Sequence, residues 1–147
     1  MVKTAPPAPT CTCFRLRKLS RLMSQRYDRR LAEAGLNINQ YSLLRRAETQ
    51  PRGIGELAKK MGMDRTTLTR DLKPLIAAGW IAVAPGEDAR RRVVTVTAAG
   101  KRAVEKARPL WLEAQHEIEA ALGDAATQRL HAQLDAALLR LQAEAGR

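Results

Sequence analysis

Aromatic side chains are scarce in this sequence: one Phe, two Tyr and two Trp, 3% of 147 residues. A core of this composition is filled by aliphatic residues. The abundance of Leu and Ala favours helices over sheets. Long apolar runs are missing too. None approaches the roughly 20 residues that cross a bilayer, so no membrane partner is expected, and the N-terminus lacks the apolar core of an export signal. The expected compartment is the reducing cytoplasm, where the two cysteines, Cys11 and Cys13, would be thiols rather than a structural disulfide. There is no glycine-rich phosphate loop, no nucleophile elbow and no carboxylate pair set into a pocket by the pattern. Glu113, Glu117 and Glu119 read as a solvated helix face. Neither an enzyme nor a cofactor is expected.

Acidic residues are also in deficit, 15 against 26 Lys and Arg, for a net charge of +11. The imbalance is unevenly spread. Residues 1–50 hold ten basic and three acidic side chains, residues 51–102 eleven and five, and residues 103–147 five and seven. A basic surface that is merely solvated needs no such segregation. A polyanionic partner for the first two thirds of the chain explains it better. The length suffices for one domain with a real core and is too short for two.

Periodicity then orders the chain. Residues 1–9, MVKTAPPAP, read as a flexible arm. A first helix is expected from about residue 11 to 33, with Thr10 as its cap. Leu16, Leu19, Met23, Tyr27 and Leu31 share one face, arginines cover the rest, and Gly35 stops it. Asn37 or Asn39 starts a second helix with Tyr41, Leu44 and Ala47 inward, and Pro51-Arg52-Gly53 breaks it. Ile54, Leu57, Ala58 and Met61 repeat at the spacing of a short helix closed by Gly62. Asp64 then caps a helix that turns Leu68, Leu72, Leu75 and Ile76 to one side, and Gly79 closes it. Thr66, Thr69, Arg70 and Lys73 fall on its other side, with Arg65 beside them. These short hydroxyls and long cations are the residue types that reach base edges and phosphates. IAVAPGEDARRRVVTVT follows as a two-stranded ribbon, with Pro85 and Gly86 in its turn region and Asp88, Arg90, Arg91 and Arg92 at its tip. Arg91 and Arg92 alternate along the strand, so one of them is expected to face away from DNA. From Ala98 the pattern is helical again. Val104, Ala107, Trp111, Ala114, Ile118 and Ala121 form a heptad-like seam, Pro109 should kink it, and Gly123 and Asp124 lead into a last helix striped by Leu130, Leu134, Ala137, Leu138 and Leu141.

A helix pair followed by an arginine-tipped ribbon is the layout of a winged helix. The segments LAKKMGMDRTTLTRDLKPLIAAGWI and GEDARRRVVTVTAAGKR resemble the MarR family of bacterial transcriptional regulators. Asp88-Ala89-Arg90, Val96-Thr97 and Gly100 stand where that family has its wing motif, strand end and glycine. The likeness extends from about Cys13 to Leu141. It implies a mainly α fold with a small β-wing: a winged helix-turn-helix over residues 36–97, flanked by dimerisation helices at 10–34 and 98–145, in a single 1–147 domain. It further implies a homodimeric DNA-binding regulator, most often a repressor, on a pseudo-palindromic operator of double-stranded DNA. Its control by a small-molecule effector would act through the spacing of two recognition helices. The expected DNA-binding residues are Arg65, Thr66, Thr67, Thr69, Arg70 and Lys73 on the helix, with Asp88, Arg90 and Arg91 in the wing. Leu16, Tyr27, Tyr41 and Trp111 would line an effector crevice, or simply be core.

Two further readings concern the cysteines. A helix N-terminus with Arg15 and Arg17 nearby provides the surroundings that favour a thiolate. CFRLRKLSRLMSQRY resembles the first helix of the organic-hydroperoxide-sensing branch of the family, with Cys13 in place of the sensing Cys and Tyr27 in place of one tyrosine. The second tyrosine of that pattern is Arg17 here. A thiol sensor built on Cys11, Cys13 and Tyr27 is thus an alternative to small-molecule control, and an apolar packing role is the plainer one. A metal site joining Cys11 and Cys13 to His116 or His131 has weak spacing and is not expected. Outside regulation, a non-specific architectural DNA-binding protein and a helical adaptor for an acidic protein remain open.

Overall fold

The computed structural model describes residues 10–88 and 90–146. The arm at 1–9, Ala89 of the wing motif and Arg147 lie outside the described residues. In chain order the elements are α1 (Thr12–Leu31), a 3-10 turn (Ala32–Ala34), α2 (Ile38–Ala47), β1 (Arg52–Gly53), α3 (Ile54–Met61), α4 (Arg65–Ala77), β2 (Ile81–Pro85), β3 (Arg92–Val96), α5 (Ala98–Leu122) and α6 (Asp124–Ala145). The architecture is mainly helical with a small antiparallel wing, the fold class that the sequence implied.

Local chemistry sets most boundaries. α1 is capped by Cys11, not Thr10: the thiol Sγ accepts the Phe14 N–H at 3.4 Å. Asn37, not Asn39, opens α2 through a reciprocal capping box. Its side chain accepts the Gln40 N–H at 2.9 Å, and the Gln40 side chain accepts the Asn37 N–H at 3.1 Å. Between α3 and α4 the chain reverses at Gly62, whose φ of +67° lies in the left-handed region that glycine adopts at no steric cost. That residue lets the Met63 N–H reach back to the Ala58 carbonyl at 2.9 Å and satisfy the helix end. α4 ends at Ala77, with Ala78 as its cap and Gly79 next, at a φ of +75°. The Gly79 and Trp80 N–H groups return to the Ile76 and Leu75 carbonyls.

The sheet differs from the expected ribbon. Its strand order is β1-β3-β2, all antiparallel. Arg52 pairs with Val94 and Gly53 with Val93, so the stretch expected only to break α2 adds a third strand. Two residues carry no period to read, and a pairing 42 positions away in the chain is invisible locally. Pro85 belongs to β2, opposite Arg92, leaving Gly86–Arg91 as the wing loop.

Leu43, Leu44, Leu57, Leu68, Leu72, Leu75, Val94 and Val104 are fully buried and join α2, α3, α4, β3 and the start of α5 in one core. Ile76, expected on the inward face of α4, is 43% exposed. Leu68, Leu72 and Leu75 already fill the buried stripe, and one further residue turns the side chain about 100° around the axis. α5 runs on through Pro109 as one helix. Its seam is used within the chain. Val104, Ala107, Ala114 and Ile118 are buried, chiefly against α1 and α2, while Ala121 is exposed. α6 packs mainly on α5 and buries only Thr127. Its distal leucines, Leu138, Leu139 and Leu141, are open to solvent.

Candidate nucleic-acid interface

Asp64 sets the first turn of α4. Its carboxylate accepts the Thr67 N–H at 2.7 Å and the Thr67 hydroxyl at 2.9 Å. These two bonds from Thr67, the backbone one foremost, hold the Asp64 carboxyl below the usual carboxylate range. Its charge therefore supports the helix above the ordinary carboxylate pKa, and that support is lost as pH falls through the lowered native value. Asp64→Asn keeps a capping oxygen but cannot titrate. It is expected to shrink the acid sensitivity of the thermal melt between about pH 5 and pH 2 relative to the parent chain.

Thr67, placed among the DNA contacts by sequence, is turned back onto this cap and is half-buried. Arg65, Thr66, Thr69, Arg70 and Lys73 are all exposed and border one shallow concavity of about 390 Å³ on the outer face of α4. The Arg70 side chain is 72% exposed, with only a long 3.9 Å approach to Asp71. Asp71 is instead engaged by the Asn39 amide at 3.1 Å. The three cations and two threonines gathered here form an exposed cationic face of the size that enters a major groove.

The wing adjoins it. The Asp88 carboxylate accepts the Arg90 backbone N–H at 3.1 Å, and its carbonyl accepts the Arg91 N–H at 2.8 Å. Asp88 thus shapes the loop through the backbone of Arg90 rather than by pairing with its guanidinium. Arg91 and Arg92 do not divide between two sides as alternation suggested. Both border a cleft of about 650 Å³ between the wing and the start of α3, together with Gly53, Gly55, Lys59 and Arg65. A Cβ on Gly53 would meet the Arg91 guanidinium at 3.7 Å, and one on Gly55 would meet that of Arg65 at 3.4 Å. The glycine lip and Lys59 escaped the sequence reading. Their nearest signal is the Gly-Ile-Gly that opens α3 directly before a basic helix.

The proposed crevice residues separate. Tyr27, Trp111 and Tyr41 stack in a row, with ring centroids 6.3 Å and 6.1 Å apart and planes within 15° and 25°. The row ties α1, α5 and α2 together. The Tyr27 hydroxyl donates to the Gln115 amide oxygen, whose Nε2 donates to Glu119 at 2.8 Å. Burial pushes both tyrosine hydroxyls above their ordinary pKa, with Glu119 adding to the rise at Tyr27. Arg30 pairs with Glu117 and, at 3.5 Å, with Glu113, clamping α1 to α5. Beside Tyr41 and Trp111 opens a hollow of about 360 Å³ bordered by Ser42, Arg45, Arg46 and Arg108. Those arginines were missed, though Arg45 stands one helical turn after Tyr41 and Arg108 one turn before Trp111. Leu16 is not part of the group. It is 46% exposed and eleven residues from Tyr27, roughly 16 Å along α1.

Cys11 and Cys13 are free and exposed. Fourteen residues of one straight helix, roughly 21 Å, separate Cys13 from Tyr27, so the structure does not join them within the chain. His116 and His131 are exposed on α5 and α6, and among the described residues no three metal-ligating side chains converge.

The helix pair turned at Gly62, the exposed cationic face of α4 and the arginine-bordered wing define a winged helix-turn-helix of the DNA-binding class. Comparison with known proteins agrees. Residues 36–93 match the model of the MarR family. The chain is 38% identical to the transcriptional regulator MosR of M. tuberculosis, solved in complex with DNA, over 94% of this chain and 99% of that one, with a TM-score of 0.79. A second structure of MosR gives 35% identity over 88% and 96% of the two chains and a TM-score of 0.72. A mutant of E. coli MarR complexed with operator DNA shares the fold, at 21% identity over 84% and 90% and a TM-score of 0.77. No curated protein matches the chain. The chain belongs to the MarR family of transcriptional regulators.

Proposed function

We propose that this MarR-family regulator is a homodimeric, cytoplasmic repressor that binds a pseudo-palindromic operator sequence-specifically and releases it in response to a small effector. One observation carries the reading: a cationic recognition face on α4 and an unpartnered apolar stripe on α6 occur in the same chain. A two-fold pair of such chains would present two α4 helices to successive major grooves. The hollow beside Trp111 supports effector control. Its aromatic floor and three arginines suit a planar anion, and it lies where α5 meets α2. A ligand that favours one packing of α5 on α2 shifts the spacing of the recognition helices by differential binding. MosR and E. coli MarR were solved with DNA, in keeping with this reading.

Anisotropy on DNA from upstream of the gene tests it. Nanomolar binding that weakens steeply with salt is expected. Arg70→Ala should cost about 1–3 kcal/mol and lose discrimination at one operator position. A uniform loss across sequences would indicate an architectural binder, and an unchanged affinity an adaptor for an acidic protein. A second reading, thiol oxidation as the switch, is favoured by the Cys11 Sγ that caps α1 beside an exposed Cys13. Binding lost after hydroperoxide and restored by dithiothreitol would establish it, and binding indifferent to oxidant would leave the Trp111 hollow as the switch.

A further inference from the structure

On the outer face of α4, the Thr69 hydroxyl is turned inward and donates to the Arg65 carbonyl oxygen, one turn earlier, at 2.8 Å. Its proton is therefore committed to the helix's own backbone. Thr69 is nonetheless exposed, and it stands in the middle of the concavity between Thr66, Arg70 and Lys73. With the hydroxyl so engaged, the γ-methyl is the group this exposed side chain has left to offer a ligand. Arg65, Arg70 and Lys73 border the same concavity, and each carries an aliphatic stem beneath its charged head. The reading face thus combines an apolar group with cations.

Among the four bases, one presents an apolar group in the major groove: thymine, through its C5-methyl. A hydroxyl that has no proton to offer gives no advantage to the purine acceptors N7 and O6. We infer that Thr69 is a specificity-determining residue that selects thymine by methyl-to-methyl contact, while Arg65, Arg70 and Lys73 hold the neighbouring guanines and phosphates. The inference rests on the proposal that α4 is the helix inserted into the major groove.

The test begins with operators that the full-length protein selects from random duplexes. Each thymine of the selected half-site is then replaced, symmetrically, by deoxyuridine, which lacks only the methyl. Removing one buried methyl should weaken binding about fourfold per half-site, or about fifteenfold when both half-sites are changed. One position should show this loss. Thr69→Ser, which keeps the hydroxyl and its bond to the carbonyl, should bind the thymine and deoxyuridine operators equally. Thr69→Val, which keeps the methyl and the side-chain shape, should still prefer thymine. The inference is overturned if no position responds to deoxyuridine, or if Thr69→Ser discriminates as the parent does. A parallel Arg70→Ala variant separates the two levels. If it loses affinity while Thr69→Ser behaves as the parent, α4 reads DNA without a thymine contact at Thr69. If neither variant changes binding, α4 is not the reading helix and both statements fall together.

Discussion

Replacing Leu138 and Leu141 together by glutamate is expected to yield a folded monomer whose operator affinity is down by about a hundredfold or more. The two leucines are 57% and 67% exposed in the single chain, with Leu139 beside them and only Thr127 buried along the whole of α6. A helix with such a stripe is stable in water when something covers it. The seam of α5 is already used against α1 and α2, so it offers no cover to a partner. A second copy of α6 provides a self-complementary surface. Under two-fold symmetry each leucine counts twice, and full burial of one contributes roughly 1.5–3 kcal/mol. Four glutamates in that seam would add repulsion to the lost burial. The measurement is light scattering for mass, circular dichroism for helix content and anisotropy for operator binding. A dimer that persists with unchanged affinity would remove α6 from the interface and move attention to Phe14, Leu16 and Leu22, the exposed apolar end of α1.

Gly100→Ala is expected to cost about 3 kcal/mol of stability, a large part of what a domain of this size holds. Gly100 is buried in the first turn of α5, where that turn crosses the corner between α4 and β2. A Cβ there would fall far inside contact distance of the Trp80 carbonyl oxygen, at 3.0 Å from the Trp80 carbonyl carbon and 2.7 Å from Val96 Cγ1. Its neighbours cannot yield easily, because the corner is cross-braced. Thr97 accepts the Gly100 N–H at 3.1 Å and donates its hydroxyl to the Gly79 carbonyl at 2.6 Å, and the Thr97 N–H reaches the Trp80 carbonyl at 3.0 Å. Admitting one methyl means moving the whole start of α5 away from the winged lobe. Urea unfolding should show a lower midpoint with an unchanged m-value. Gly53→Ala serves as the contrast. Its new Cβ would meet the tip of Arg91 at an ordinary 3.7 Å, so stability should barely change. If Gly100→Ala unfolds like the parent, the corner rearranges freely and the close approach is not a constraint.

Several parts of the structure could be read before any coordinates. Asp64 and the glycine at 62 mark the helix-turn-helix because caps and turns are decided by a few adjacent residues. Thr66, Thr69, Arg70 and Lys73 were seen to share a face because helical spacing alone puts them there. The same arithmetic, applied to α1, already placed Cys13 and Leu16 too far along the helix to meet Tyr27. The family likeness drew them together where the rise per residue did not. Asn37, three residues before Gln40, carries the capping-box spacing that Asn39, three before Ser42, lacks, and both bonds of that box are formed.

What the sequence determined on its own was the local and the periodic: helix limits, the turn at Gly62, the cationic face of α4, the wing and the concentration of positive charge. The tertiary structure decided which faces are occupied. It spent the α5 seam inside the chain, left the α6 stripe open, paired Arg52 and Gly53 with a strand far along the sequence and gathered Arg45, Arg46 and Arg108 around Trp111. Local bonds that periodicity does not show also turn Thr67 to its cap and the Thr69 hydroxyl to the helix's own backbone. Periodicity says which side chains point the same way. Whether that side is core, interface or open water depends on what lies across from it, which is a property of pairs of elements and is written in neither one alone.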